Sequence, residues 1–211
     1  MKKSRYNGVY TDGKNYYTRT KIGESIYGEK IVRKGTWYYR LWDPHRSKLS
    51  SAMHAKLRNF PFKDSKILYL GAATGTTVSH ISDLAKVVWA VEISPISMNS
   101  LVSLAERRKN VIPILADARY PKRYAMFVDS PDVIYQDISQ RDQVNIFLKN
   151  MDFFNPKYGF LMLKTRTIDM RKRPRDVMNE SKKIIEKKYG IVEVVNISRY
   201  QKDHYAVMVV P

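Results

Sequence analysis

From Lys66 to Val78 the chain reads KILYLGAATGTTV, an apolar run that breaks into a turn of small residues. Ile67, Leu68, Tyr69 and Leu70 show no polar alternation, the pattern of a strand buried on both faces in a parallel sheet. Gly71-Ala-Ala-Thr-Gly-Thr-Thr then makes a tight turn, with helix-forming residues beyond it. Glycine lacks the Cβ that would keep a ligand off the backbone, and the first turn of the helix presents unpaired N–H groups. A polar or charged ligand fragment therefore fits at the strand's carboxyl end, where ligands collect in open α/β sheets. A purely structural turn uses the same letters, so this stretch constrains the fold more tightly than the chemistry.

The chain beyond it continues in alternating strands and helices. Val87–Val91, VVWAV, is the next strand, and Glu92 ends it. An acidic residue about 20 positions past the first glycine is where a Rossmann-like fold binds ribose hydroxyls. Met98, Leu101, Val102 and Ala105 mark the buried face of a helix. Val111–Leu115 is a strand that Pro113 places near the sheet edge, with Asp117 and Ala118 just past its end. After an irregular or helical passage over 120–127, Val133–Tyr135 forms a strand closed by Gln136 and Asp137, and a helix runs over 143–151. Gly159–Leu163 is a strand with Lys164 at its end; a helix spans 176–188 and Gly190 stops it. The last two strands, 191–197 and 204–210, are joined by so short a turn that they must be antiparallel, which makes the sheet mixed. A pure dinucleotide-binding sheet lacks that feature, and a nicotinamide oxidoreductase, which explains Gly71 and Glu92, does not explain it. Glu92, Asp137 and Lys164 all stand at carboxyl ends of strands.

Ahead of this region, residues 1–42 alternate short aromatic or β-branched clusters with glycines: Val9-Tyr10, Tyr16-Tyr17, Ile31-Val32 and Trp37-Tyr38-Tyr39. They indicate a small, mostly β N-terminal domain with its connecting segment over 1–55, followed by the α/β domain over 56–211. The aromatics interleave with Lys14, Arg19, Lys21, Lys30, Arg33, Lys34 and Arg40, a mixture suited to base stacking and phosphate contact, and equally to a packed sheet with a charged outer face. From Ser47 onward, Leu49, Ala52, Met53, Lys56 and Leu57 share one helical face. Arg46 and Lys48 stand at the start of that helix, where cations oppose its dipole.

The 38 Lys and Arg exceed the 20 Asp and Glu, a net charge of +18 that favours a polyanion such as nucleic acid. The excess is dispersed through both halves. Arg166, Arg171, Lys172, Arg173 and Arg175 fall in a proline-interrupted loop and form a candidate phosphate-contact patch. The absence of cysteine excludes disulfides, thiolate nucleophiles and Cys-ligated zinc, and is compatible with a cytoplasmic protein. No segment is apolar enough to span a bilayer, and His45, His54, His80 and His204 show no metal-ligand spacing, so neither membrane nor metal is expected.

Seven segments taken together resemble a known family: DPHRSKLSSAM (43–53), YLGAATGTTVSHISDL (69–84), WAVEISP (89–95), AERRKNVIPILADARYP (105–121), DVIYQDISQ (132–140), LKTRTID (163–169) and DHYAVMVV (203–210). In order and joint presence they are similar to the archaeal form of the fibrillarin-like RNA 2′-O-methyltransferases. The resemblance implies a class I S-adenosylmethionine-dependent methyltransferase fold, a Rossmann-like mixed seven-stranded sheet after a small β domain. Its cofactor is S-adenosyl-L-methionine, and its acceptor is a ribose 2′-hydroxyl in rRNA or tRNA. A C/D-box guide RNA selects the target, in a particle with a Nop-family scaffold protein and a kink-turn-binding protein of ribosomal type. By the same resemblance, cofactor contacts fall on Gly71, Ala73, Thr76, Thr77, Glu92, Asp117, Ala118, Asp137 and Gln140, and a catalytic tetrad falls on Lys48, Asp137, Lys164 and His204. Arg46 joins the patch from Arg166 to Arg175 as a candidate RNA contact. Ser97 stands where the family often has arginine, and the connection after Asp83 is short; neither touches the tetrad. A noncatalytic RNA-binding subunit of the same kind of particle is the alternative that the charge alone permits.

Overall fold

Five short strands, β1 (Lys2–Lys3), β2 (Val9–Thr11), β3 (Tyr16–Thr20), β4 (Ile31–Lys34) and β5 (Trp37–Leu41), make an antiparallel sheet in the order β1-β2-β3-β5-β4. The aromatic and β-branched clusters of the N-terminal region therefore are strands. The computed structural model describes residues 1–211. A helix, α1 (Lys48–His54), follows the sheet. Its periodicity extends one turn further in sequence than in space, because the chain leaves the helix through a left-handed Lys56 at φ 67°. Lys56 N donates to Met53 O and Leu57 N to Ala52 O, the paired bonds of a Schellman stop. Leu57 still reaches the core, which is why it reads as helical.

The remaining elements are β6 (Lys66–Leu70), α2 (Thr76–Ser82), β7 (Val87–Glu92), α3 (Pro95–Arg107), β8 (Val111–Leu115), β9 (Val133–Gln136), α4 (Gln143–Phe154), β10 (Tyr158–Lys164), α5 (Thr165–Ile168), α6 (Pro174–Ile185), β11 (Gly190–Asn196) and β12 (His204–Val210). Seven strands form one sheet in the order β11-β12-β10-β9-β6-β7-β8. Strands β6 to β10 pair in parallel, while β12 is antiparallel to both of its neighbours. The mixed seven-stranded sheet that the resemblance implies is thus observed, with Pro113 on the edge strand.

Successive residues on a strand face opposite sides of the sheet, so each apolar run feeds two cores. Ile67 and Tyr69 pack on one side with Leu49, Val78 and Leu101 from α1, α2 and α3. Leu68 and Leu70 pack on the other with Phe147 and Met151 of α4 and Met178 of α6. On α3 the buried face is Met98, Leu101 and Leu104; Val102, expected inside, lies exposed because the neighbouring row of the helix meets the sheet. Tyr6, Val9 and Trp42 belong to the first of these cores, so the N-terminal sheet shares apolar packing with the larger one. No helix is long and apolar enough to cross a membrane.

Candidate active site

The carboxyl ends of β6, β7, β8 and β9 surround a cleft of about 280 Å³. Gly71, Ala73, Glu92, Asp117, Ala118, Asp137 and Gln140, all expected at a cofactor, line it. Gly71 has φ 79°, and a Cβ there would lie 2.6 Å from the Asp137 carbonyl oxygen. The turn and the loop after β9 approach so closely that only glycine fits between them. Glu92 fixes the opposite wall: its carboxylate accepts from Ala73 N at 2.7 Å and from Ile93 N and Ser94 N at 2.9 and 2.8 Å. A carboxylate has about four lone-pair sites, so acceptor capacity remains for ligand hydroxyls.

Thr76 and Thr77 do not line the cleft. Thr76 opens α2, whereas the buried Thr77 hydroxyl donates to Ser47 Oγ at 3.0 Å. Ser47 is the N-cap of α1 and also accepts from Trp42 Nε1 at 2.8 Å. Thr77 therefore ties the glycine turn to the residue before Lys48, a positioning arrangement rather than a lining one. The lining also includes residues that were not assigned to the cofactor, among them Arg119, whose guanidinium pairs with Asp142 at 3.0 Å and Asp117 at 3.4 Å, and the exposed Ile93 after Glu92. An isoleucine directly past a buried strand, with no core to join, is the one local hint the sequence offered.

The four residues of the expected tetrad converge beside this cleft. Lys48 Nζ lies 2.7 Å from Asp137 Oδ1 and 2.9 Å from Oδ2. Lys164 closes β10 and His204 opens β12, and the antiparallel register pairs these two positions. Burial holds the His204 imidazole below its ordinary pKa; the hydrogen bond to the Lys202 carbonyl opposes that, Lys48 and Lys164 repel the charged form, and Asp137 favours it. Because a carbonyl only accepts, Nδ1 carries the proton toward Lys202 O at 2.7 Å, which leaves Nε2 of the neutral ring as an acceptor. The Lys164 ammonium makes no hydrogen bond or ion pair within the chain, and its backbone is held from both sides. Gln143 Oε1 accepts from Lys164 N at 2.9 Å, and Gln143 Nε2 donates to Lys164 O at 3.1 Å.

Next to Lys164 opens a broad groove lined by Arg141, Arg166, Met170 and Arg171. The expected basic loop is partly helical. Thr165–Ile168 is a turn of helix, and Pro174 opens α6, where its fixed φ and missing N–H suit the first helical position. Arg175 consequently lies on α6. Arg166 pairs with Asp203 at 3.1 Å, Lys172 with Glu180 at 2.6 Å and Arg173 with Asp176 at 2.8 Å, whereas Arg171 and Arg175 form no ion pair. Arg46 does not line this groove, and its guanidinium rests 4.8 Å from the centre of the Tyr27 ring.

A profile of the family described as Fibrillarin matches residues 1–211. The chain belongs to the fibrillarin family. This family member is 48% identical over 202 residues to the fibrillarin-like rRNA/tRNA 2′-O-methyltransferase of Thermoplasma acidophilum, covering 93% of this chain and 86% of that one. It superposes with a TM-score of 0.88 on Aeropyrum pernix fibrillarin in complex with natively bound S-adenosyl-L-methionine, at 34% identity over 99% of this chain and 96% of that one. A fibrillarin/Nop5p complex contains a chain that matches with a TM-score of 0.89 and 37% identity, over 97% of this chain and 98% of the other.

The cleft of this fibrillarin-family chain fits S-adenosylmethionine: the glycine approach admits backbone contact, and carboxylates stand where ribose hydroxyls and an ammonium group need acceptors. Gly71→Ala is expected to lower cofactor affinity at least about tenfold, since the new Cβ must push the Asp137 backbone out of the cleft wall. Calorimetric titration checks this; affinity within twofold of the parent would show that the turn yields without consequence.

Proposed function

We propose that this chain transfers a methyl group from S-adenosylmethionine to ribose 2′-hydroxyls of rRNA and tRNA. In this reading it is the catalytic subunit of a C/D-box particle that holds a guide RNA, a Nop-family scaffold of the Nop5p kind and a kink-turn-binding protein. The carrying observation is the meeting of Lys164 and His204 in register beside the Lys48–Asp137 pair, whose Asp137 also lines the cleft. Membership of the fibrillarin family sets the nicotinamide alternative aside.

When bound, S-adenosylmethionine supplies an electrophilic methyl group on a sulfonium. The protein's task is alignment and management of the acceptor's proton. Glu92 and Asp117, on the cleft walls, would hold its ribose and base, and Asp137 would hold its amino-acid end. Asp137 is held by Lys48, so Lys164 is the tetrad amine left free to meet the 2′-hydroxyl, where its charged form stabilises developing negative charge and its neutral form accepts the proton. His204, neutral and anchored to Lys202, orients Lys48 or a phosphate.

The deciding experiment supplies labelled S-adenosylmethionine to the reconstituted particle with a guide-matched RNA, in normal and 2′-deoxy form at the target. Label is expected on the normal ribose alone. An assembled particle that binds cofactor and RNA yet labels neither would leave a noncatalytic RNA-binding subunit.

The groove beyond Lys164 is the surface that this reading gives to the substrate backbone. Lys172 and Arg173 follow its Arg171 in the chain, and their exposed ion pairs are worth little in water, so phosphates can take them over from their carboxylates. Replacing Arg171, Lys172 and Arg173 by glutamine is expected to weaken RNA association and to lower the slope of log affinity against log salt by about 2 to 3. A slope equal to the parent's would remove these residues from the interface.

A further inference from the structure

The N-terminal sheet has one face turned toward α2 and another turned to solvent, and the pairing register sorts its residues between them. Thr18 and Arg40 are paired and face inward to α2. Arg19 and Tyr39 are paired and face outward, joined by Tyr10, which pairs with Tyr17, and by Lys3, which pairs with Tyr10. Trp37 extends the same face two residues before Tyr39. The Arg19 guanidinium lies 4.1 Å from the Trp37 ring centre and 5.0 Å from that of Tyr10, and Lys21 Nζ lies 5.6 Å from Trp37. Beside them is a concavity of about 420 Å³ lined by Lys3, Tyr10, Arg19, Trp37 and Lys63. The carboxylate on its lining, Asp83, is already bound by Arg40 and Arg108.

A sheet face that only shields its own core needs neither a partly exposed tryptophan nor cations gathered over it. We infer that this outer face is a second RNA-binding surface, distinct from the groove at Lys164, on which single-stranded RNA stacks bases against Trp37 and Tyr10 while Arg19, Lys21, Lys3 and Lys63 bind its phosphates. Flat rings favour a base over an acidic peptide, and cations that already rest on those rings are poised to meet phosphates as bases replace them. The face reads no base edges, so binding is tolerant of sequence. It suits the unpaired parts of an RNA whose paired part occupies the catalytic side, and the choice of RNA rests on the function proposed above.

Intrinsic fluorescence tests this on the full chain, because of its three tryptophans Trp42 and Trp89 are 0% and 4% exposed and only Trp37 is within reach of a ligand. Titration with an eight-nucleotide oligouridylate at low salt is expected to quench the emission saturably, and Trp37→Phe to abolish the quench. Arg19→Gln with Lys21→Gln is expected to raise the half-saturation concentration on the order of tenfold while circular dichroism stays that of the parent. Inorganic polyphosphate of equal length is expected to leave emission unchanged. RNA association seen by anisotropy without a change in Trp37 emission would overturn the proposal, as would equal quenching by polyphosphate. The readout needs neither cofactor nor methyl transfer, so an inactive enzyme does not imitate its failure.

Discussion

Lys164→Ala is expected to reduce guided methyl transfer by about a thousandfold or more, with S-adenosylmethionine affinity nearly unchanged. Lys164 lines the groove shared with Arg141, Arg166 and Arg171 and not the cleft at Gly71 and Glu92, so truncation leaves the residues of that cleft in place. Its backbone is clamped by Gln143 whatever the side chain, so the strand end keeps its place in the variant. Single-turnover transfer in the assembled particle measures the first quantity, and calorimetry on the free subunit measures the second. An equal loss in both would mean that Lys164 shapes the cofactor site and has no separate part in the chemistry. Lys164→Arg divides the two chemical roles, because arginine retains the charge but does not give up its proton at working pH. Substantial activity in that variant would assign charge stabilisation; an inactive one that still binds RNA would assign proton acceptance.

The sequence made the strands legible and left their neighbours hidden. ILYL, VVWAV and FLML are apolar without alternation because both faces of each strand are covered, and a local pattern records that directly. Nothing local says that β12 inserts between β10 and β11, yet that insertion sets His204 opposite Lys164. The expected tetrad came from resemblance, and the register supplies its physical cause. Thr77 shows the reverse case. The resemblance put a ligand contact on it, but its hydroxyl donates to Ser47, a residue thirty positions earlier, which only the folded positions of α1 and α2 reveal. Similarly, Pro174 looked like an interruption of a loop because proline breaks helices internally; at the first helical position it starts one.

Arg40→Ala is expected to lower the free energy of unfolding by about 3 to 5 kcal/mol, the usual cost of stripping one partner from a buried ion pair. Arg40 is fully buried, pairs with Glu29 at 2.6 Å and Asp83 at 2.8 Å, and donates to Ser79 O and Ser79 Oγ at 2.9 and 2.8 Å. Those bonds join the N-terminal sheet to α2, the helix that leaves the glycine turn. Thr18 continues the seam: its hydroxyl donates to Asp83 and so accepts from Nδ1 of the buried His80, whose Nε2 accepts from Tyr27. Burial raises the pKa of the Asp83 carboxyl while Arg40 and Arg108 oppose that rise. Without Arg40 the carboxyl moves further up. A carboxyl whose folded pKa exceeds its unfolded value loses stability as pH rises from the unfolded value through the folded one. The deficit of the variant relative to the parent is therefore expected to be larger at pH 7 than at pH 5, as measured by urea unfolding at both. Arg40→Ala with Asp83→Asn should recover part of the loss at pH 7, since it removes one stranded charge. A deficit below about 1 kcal/mol that does not change with pH would mean that water reaches this seam, and that the two sheets are held together by their shared apolar core alone.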